Sequence, residues 1–166
     1  MTANIRKTVC LLMASVIFIS GVSAQSPDKN NSLFQSAEHY LALARDGKWN
    51  AWIDATHPGY VQYYGGKRRL VKLLENWERI DPVTHSLKLH FITEGDENQA
   101  VLSFRNATGE RKFLLASSMD KGNTWTYLPV PEYLAEQLHN VIPDASDKLV
   151  SVIHAGYMAD SKLASF

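Results

Sequence analysis

THSLKLHFITEGDENQAVLSFRNATGERKFLLASSMDKGNTWTYL, residues 84–128, decides the fold. Apolar residues recur at every second position, first at Leu87, Leu89 and Phe91 and again at Ala100, Leu102 and Phe104. Side chains alternate between the faces of a strand, so this period predicts strands with one buried face. Gly95-Asp96-Glu97-Asn98, Thr108-Gly109 and Asp120–Asn123 interrupt the pattern. Such short turns place four strands, from Thr84 onward, over 99–106, over 111–118 and over 124–128, in an antiparallel meander.

Ahead of this block the period is helical. Leu33, Ala37, Tyr40, Leu41 and Ala44 predict an amphipathic helix with Ser32 as N-cap and Gly47 as its stop. Residues 48–56, with Trp49, Trp52 and Ile53, predict a second helix ended by His57-Pro58-Gly59, and Tyr60–Tyr64 is a short aromatic run. A third helix follows Gly65-Gly66, with Leu70, Leu73, Leu74 and Trp77 as its buried stripe. Beyond Pro129 and Pro131, Tyr133, Leu134, Leu138, Val141 and Ile142 predict a helix broken by Pro143, and Leu149, Val152, Ile153 and Tyr157 a further one. Helices followed by a meander indicate an α+β domain with the N-terminal helices on one face of an antiparallel sheet of about four strands and a C-terminal helical segment.

Residues 1–24, MTANIRKTVCLLMASVIFISGVSA, read as a secretory signal. Arg6 and Lys7 form the positive region, Val9–Ile19 the apolar region, and Val22-Ser23-Ala24 the small-residue cleavage pattern, with Gln25 the first mature residue. The apolar run is shorter than the ~20 residues of a spanning helix, and Cys10 lies inside it rather than at a lipoprotein cleavage point. The expected organisation is a signal over 1–24, a flexible leader over 25–32, the α+β domain over 33–128 and a helical extension over 129–166. Cys10 is the single cysteine and leaves with the signal, so the mature chain holds no disulfide, thiol nucleophile or cysteine ligand. Export without disulfides fits a bacterial periplasm. The whole chain has 17 Lys plus Arg and 17 Asp plus Glu; losing Arg6 and Lys7 leaves a net charge of −2, which gives no general attraction to nucleic acid. No stable membrane anchor is expected after cleavage.

Ser118-Met119-Asp120-Lys121-Gly122-Asn123-Thr124-Trp125 fits S-x-D-x-G-x-T-W and resembles the Asp-box of sialidases and related propellers. One copy in a short chain predicts a structural turn: Asp120 accepts backbone N–H groups, Gly122 permits positive φ, and Trp125 opens the next strand. A second set is Asp46-Gly47-Lys48-Trp49, Trp52, Thr56-His57-Pro58-Gly59-Tyr60 and Gly65-Gly66-Lys67. With the helices-then-meander order, it resembles the nuclear-transport-factor-2-like (ketosteroid-isomerase-like, SnoaL-like) superfamily over residues 33–128. That resemblance implies a cone whose curved sheet wraps a long helix, a pocket at the open end and, in many members, a homodimer through the outer sheet face. Members include isomerases, dehydratases, epoxide hydrolases and noncatalytic binding modules. The enzymes place an Asp, or an Asp and a His, inside the cone, and no acid of this chain aligns with those positions.

The candidate catalytic pair is Asp54 and His57, spaced as a carboxylate that orients a general base; the competing reading makes His57 a cation at a helix C-terminus. Trp49, Trp52, Tyr60, Tyr63 and Tyr64 are candidate ligand-binding residues at the cone rim, or packing groups. Gly66, Lys67 and Arg68 open a helix whose N–H groups could receive an anion, or form a solvated basic face. The histidines show no metal-binding spacing, so neither a metal nor a cofactor is expected. The expected function is an exported, noncatalytic module that holds a small apolar ligand or a protein partner. The alternatives are a small lyase, isomerase or hydrolase working through Asp54 and His57, and a periplasmic immunity or inhibitor protein.

Overall fold

The computed structural model describes residues 27–75 and 82–163. The predicted signal with its cleavage point at Ala24 and Gln25, Trp77 and the last three residues lie outside them.

Helix α1 spans Pro27–Arg45. Proline suits an opening position because its fixed φ is helical and its missing N–H would have no partner there. The stretch expected as a flexible leader is therefore helical from residue 27. Ser32 is not the cap; it lies inside α1 and offers its carbonyl to Ser36 Oγ at 2.7 Å. Gly47 ends the helix as expected, with φ +67 and Lys48 N–H closing on Leu43 O at 2.9 Å. Three short helices follow: α2 (Trp49–Asp54), α3 (Pro58–Tyr63) and α4 (Lys67–Leu74). Pro58 opens α3 as well as following α2, so the aromatic run 60–64 is mostly helical. In α4 the i,i+4 pair Leu70 and Leu74 is buried, whereas Leu73 falls at the edge of that face and is 37 % exposed.

Strands β1 (Pro82–Thr93), β2 (Asn98–Asn106), β3 (Arg111–Ser118) and β4 (Thr126–Val130) form the expected antiparallel meander in the order β1-β2-β3-β4. The register of β1 on β2 slips twice, between Val83 and Lys88 and between Leu89 and Phe91. Helices α5 (Glu132–Ala135), α6 (Leu138–Val141) and α7 (Asp147–Leu163) complete the chain.

The first helix packs on one face of the sheet, as expected of the N-terminal helices, and the C-terminal helix α7, whose place the sequence left open, covers the other. On one face Tyr127 packs its ring on Tyr40 of α1, 5.0 Å between centroids. On the other, Phe113 meets Tyr157 of α7 at 4.9 Å, Lys148 lies 4.5 Å over the Phe91 ring, and Gln99 bonds Asp144 O and Ser146 N–H at 3.1 Å. Residues 98–104 and 113–118 are accordingly buried without alternation. Ser103, Ser117 and Gln99 sit at inward positions, so their polarity made the second face of β2 and β3 read as solvent-facing. The C-terminal helices thus form a third layer that shares the core, with Leu149 and Ile153 fully buried.

The outer edge of β4 is closed by the α2–α3 connection. His57 N–H donates to Tyr127 O (2.8 Å) and Tyr127 N–H to Ala55 O (3.0 Å), forming a parallel bridge at Thr56. This satisfies an edge that would otherwise invite strand addition.

Two glycines permit close approaches. A Cβ on Gly156 of α7 would strike the Phe113 ring, and one on Gly59 of α3 would strike the Val141 carbonyl. Gly156→Ala and Gly59→Ala should each lower the unfolding free energy by about 1–3 kcal/mol, since overpacking outweighs a helix-propensity gain of at most about 1 kcal/mol. Gly95→Ala, where the nearest atom lies 3.8 Å from the added Cβ, should stay within about 0.5 kcal/mol. Urea denaturation of the three variants checks the ranking.

Candidate functional site

The short helices carry most of the predicted site residues, and their turns depend on glycine. Gly65 (φ +83) and Gly66 (φ +93) reverse the chain between α3 and α4 in a conformation that side chains resist. An open groove of about 620 Å³ results, lined by Ile53, Pro58, Val61, Gln62 and Lys67 among others. A second cavity of about 720 Å³ continues past Gly65 and Gly66 toward Asn50, Lys72 and Glu75. Both lie on the outside of the helical layer. Between α1 and the sheet, Leu33, Tyr40, Trp52 and Tyr127 occupy the interior, each at most 2 % exposed.

The five aromatic candidates separate by burial. Trp52 (2 %) and Tyr60 (0 %) have no ring surface for a ligand, because they are links in a continuous aromatic stack. Trp52 lies against Tyr40 at 5.1 Å and meets the edges of Trp49 and Tyr60 at 6.2 and 6.4 Å; Tyr60 then meets Tyr64 at 4.7 Å. Burial drives the hydroxyl pKa of Tyr40 and Tyr60 upward, so both stay neutral. Trp49 and Tyr64 are half-buried, and Tyr63 is 43 % exposed.

Tyr63 and Tyr64 stand nearly perpendicular, at 82° and 5.2 Å. Tyr63 donates to Gln137 Oε1 (3.3 Å), and the Tyr64 and Tyr133 hydroxyls lie 2.9 Å apart. Tyr133, 59 % exposed on α5, was not singled out in the sequence, where it reads as one apolar member of a helical stripe. Partial burial and the bond to Tyr64 push its hydroxyl up to about 12. These residues make a tyrosine ridge beside the groove.

Asp54 and His57 do not form the expected carboxylate–imidazole pair. The Asp54 side chain is 66 % exposed and takes Lys67 Nζ at 2.5 Å. His57 is the N-cap of α3: its Nδ1 accepts from Gly59 N–H at 3.1 Å, which requires that nitrogen unprotonated. It is therefore not a cation at the end of α2 either. Burial lowers the His57 pKa, opposed by the charge of Glu97. Glu97 accepts from Ser117 Oγ, and it comes from the β1–β2 turn, forty residues away in sequence. No local spacing could have identified it as the carboxylate that His57 senses.

At the start of α4, Gly66 is the N-cap without a side-chain bond, its own N–H going to Val61 O at 2.8 Å. Lys67 is engaged by Asp54, and Arg68 is exposed. The Ser118–Trp125 segment is the turn its pattern describes. Asp120 Oδ1 accepts from Ser118 Oγ, Asn123 N–H and Thr124 N–H at 2.8, 3.1 and 2.8 Å, and Oδ2 accepts from Thr124 Oγ1 at 2.7 Å. Gly122 (φ +90) donates to Ser118 Oγ at 2.7 Å, and Trp125 is buried.

No family model, curated protein or solved structure matches the chain. Among the described residues, no helix is long and apolar enough to cross a membrane, and no three His, Cys, Asp or Glu side chains gather where they could hold a metal ion.

The bonds from Thr124, then from Ser118 and Asn123, hold the Asp120 carboxyl at about 2 against its ordinary 3.8. A depressed carboxyl stabilises the fold above its unfolded pKa and loses that contribution as pH falls through the folded one. Asp120→Asn should therefore melt several degrees lower than the parent at pH 7, and the gap should close as pH falls from about 4 to about 2. Parallel thermal melts across that window check the sign.

Proposed function

We propose that this chain is an exported, noncatalytic binding module of the nuclear-transport-factor-2-like kind, which engages a protein partner through the Tyr63–Tyr64–Tyr133 ridge and the adjoining groove. The observation that carries the reading is the contrast between a packed interior and an exposed aromatic ridge. Tyr40, Trp52 and Tyr127 are buried between α1 and the sheet, where an interior ligand of the proposed fold would need space. Tyrosines supply large contact area with few rotors to freeze, and such side chains concentrate at protein interfaces. Gln137 and Gln62 add hydrogen-bonding capacity beside apolar Ile53, Pro58 and Val61.

The enzymatic alternative draws less support, because Asp54 is committed to Lys67 and His57 Nδ1 to a backbone N–H. An immunity or inhibitor protein is a special case of the preferred reading, in which the partner is a toxin or an enzyme. Export rests on residues 1–24, and a periplasmic location on the cysteine-free remainder.

Two measurements test this. N-terminal sequencing of protein from the native host should start at Gln25 in an exported fraction; an intact Met1 in the cytoplasm would contradict export. A photo-crosslinking residue at Tyr133 should yield a discrete protein adduct in living cells that Tyr63→Ala reduces at least several-fold. The same residue at Glu38, exposed on α1, should give none. Equal adducts at both positions, or none at Tyr133, would defeat the assignment of the ridge.

A further inference from the structure

The start of α3 is held by a hydrogen bond that a single proton removes. Tyr60 and Val61 N–H close on the His57 carbonyl at 3.0 and 3.3 Å. Pro58 has no N–H, so Gly59 carries the first donor of the helix, and that donor goes to the imidazole Nδ1 of His57 at 3.1 Å. Gly59 has little room to yield: a Cβ there would lie 2.1 Å from the Val141 carbonyl of α6 and 3.1 Å from His57 Nδ1. The main chain of residue 57 is fixed as well, because His57 N–H donates to Tyr127 O of β4 at 2.8 Å. The half-buried imidazole is the part with space to move.

Helix α3 also carries the ridge. Tyr63 donates to Gln137 Oε1 at 3.3 Å, and Tyr64, the C-cap of α3, holds its hydroxyl 2.9 Å from that of Tyr133 on α5. A shift of α3 therefore moves two members of the ridge relative to the third.

We infer that His57 is a proton switch for the tyrosine ridge: protonation at Nδ1 removes the acceptor for Gly59 N–H, uncaps α3 and shifts Tyr63 and Tyr64 relative to Gln137 and Tyr133. Control of recognition by this switch rests on the ridge being the partner-binding surface; the change of conformation itself needs no partner. The imidazolium has two N–H donors and no acceptor, so Nδ1–H would face the Gly59 N–H. Glu97 of the β1–β2 turn, which accepts from Ser117 Oγ, supplies the negative charge that draws the cation away. Other titratable groups on the elements around His57 are Asp54 of α2 with its partner Lys67 of α4, Tyr127 of β4, His139 of α6 with its partner Asp147, and Tyr60 and Tyr63 of α3 itself. Burial lowers the His57 pKa from its ordinary 6.5, and Glu97 opposes that shift. A fold that prefers the neutral ring keeps the full contribution of the cap above the unfolded value and loses it as pH falls through the folded one. The switch is therefore closed at about pH 7.5 and opens on acidification.

The test is an NMR titration of the purified protein from about pH 7.5 to about pH 4.5, with amide exchange corrected for its intrinsic pH dependence. Acidification should lower the protection of the Gly59, Tyr60 and Val61 amides by roughly fivefold or more, the effect of losing one cap. The ring signals of Tyr63, Tyr64 and Tyr133 should shift with the midpoint of the His57 imidazole. His57→Asn keeps a side-chain acceptor at the N-cap but does not titrate, so its protection and ring signals should stay at their high-pH values while the other histidines titrate. His57→Ala should show at the upper pH what the parent shows after acidification. The crosslink from Tyr133 should weaken several-fold in acid in the parent and not in His57→Asn. No crosslink at any pH defeats the ridge as the recognition surface, and the exchange data then decide the switch. Ring signals and protection that do not follow the His57 midpoint, a His57→Asn variant that changes in step with the parent, or a crosslink of equal yield at both ends of the titration overturns the inference.

Discussion

The Tyr127 side chain is the point on which the three-layer arrangement turns. Its hydroxyl lies 2.5 Å from Ser36 Oγ and donates to Leu33 O at 3.2 Å, binding β4 to α1. Its ring packs on Tyr40, whose own hydroxyl lies 3.0 Å from Thr56 Oγ1; Thr56 in turn donates to Trp52 O at 2.8 Å. Its backbone closes the sheet edge against Ala55 and His57. One residue thus joins the sheet to α1 and to the α2–α3 connection through satisfied polar groups inside an apolar core. Buried hydroxyls with partners specify a unique packing, and the same groups left unpaired would cost about 1–3 kcal/mol each.

That anchoring explains where recognition surfaces can exist. With α1 and its aromatic stack filling one side of the sheet and α7 the other, the strands' apolar surface is consumed by the fold. Among the described residues, the row of short helices, whose turns are set by Gly65 and Gly66, is part of what remains outside. Tyr63 and Tyr133 emerge from the end of the buried stack: Tyr60 inside touches Tyr64, which touches both. The exposed ridge is thus continuous with the core through Tyr64 and Tyr60.

The meander was legible because period-two patterning and three turn signals agree, and the Asp120 turn because its residues act within eight positions of each other. The second buried face was not legible: Ser103, Ser117 and Gln99 are inward polar residues whose partners, Asp144 and Ser146 among them, lie far along the chain. Pro27 and Pro58 read as breakers, yet each opens a helix. Among the candidate residues, Trp52 and Tyr60 carry the composition of a binding site and the burial of a core, a distinction that only packing makes. Asp54 and His57 are close in sequence but take partners in different directions, while Glu97 and Tyr133 come from segments that no local pattern connects to the helices.

Native mass spectrometry of the protein isolated from its own compartment most directly tests the claim that recognition occurs outside a filled interior. The account predicts the mass of the polypeptide beginning at Gln25, alone or with a second polypeptide, and no stoichiometric apolar molecule on solvent extraction. A small apolar compound retained one-to-one through gentle ionisation would contradict it, since such a ligand would need the space that Tyr40, Trp52 and Tyr127 occupy.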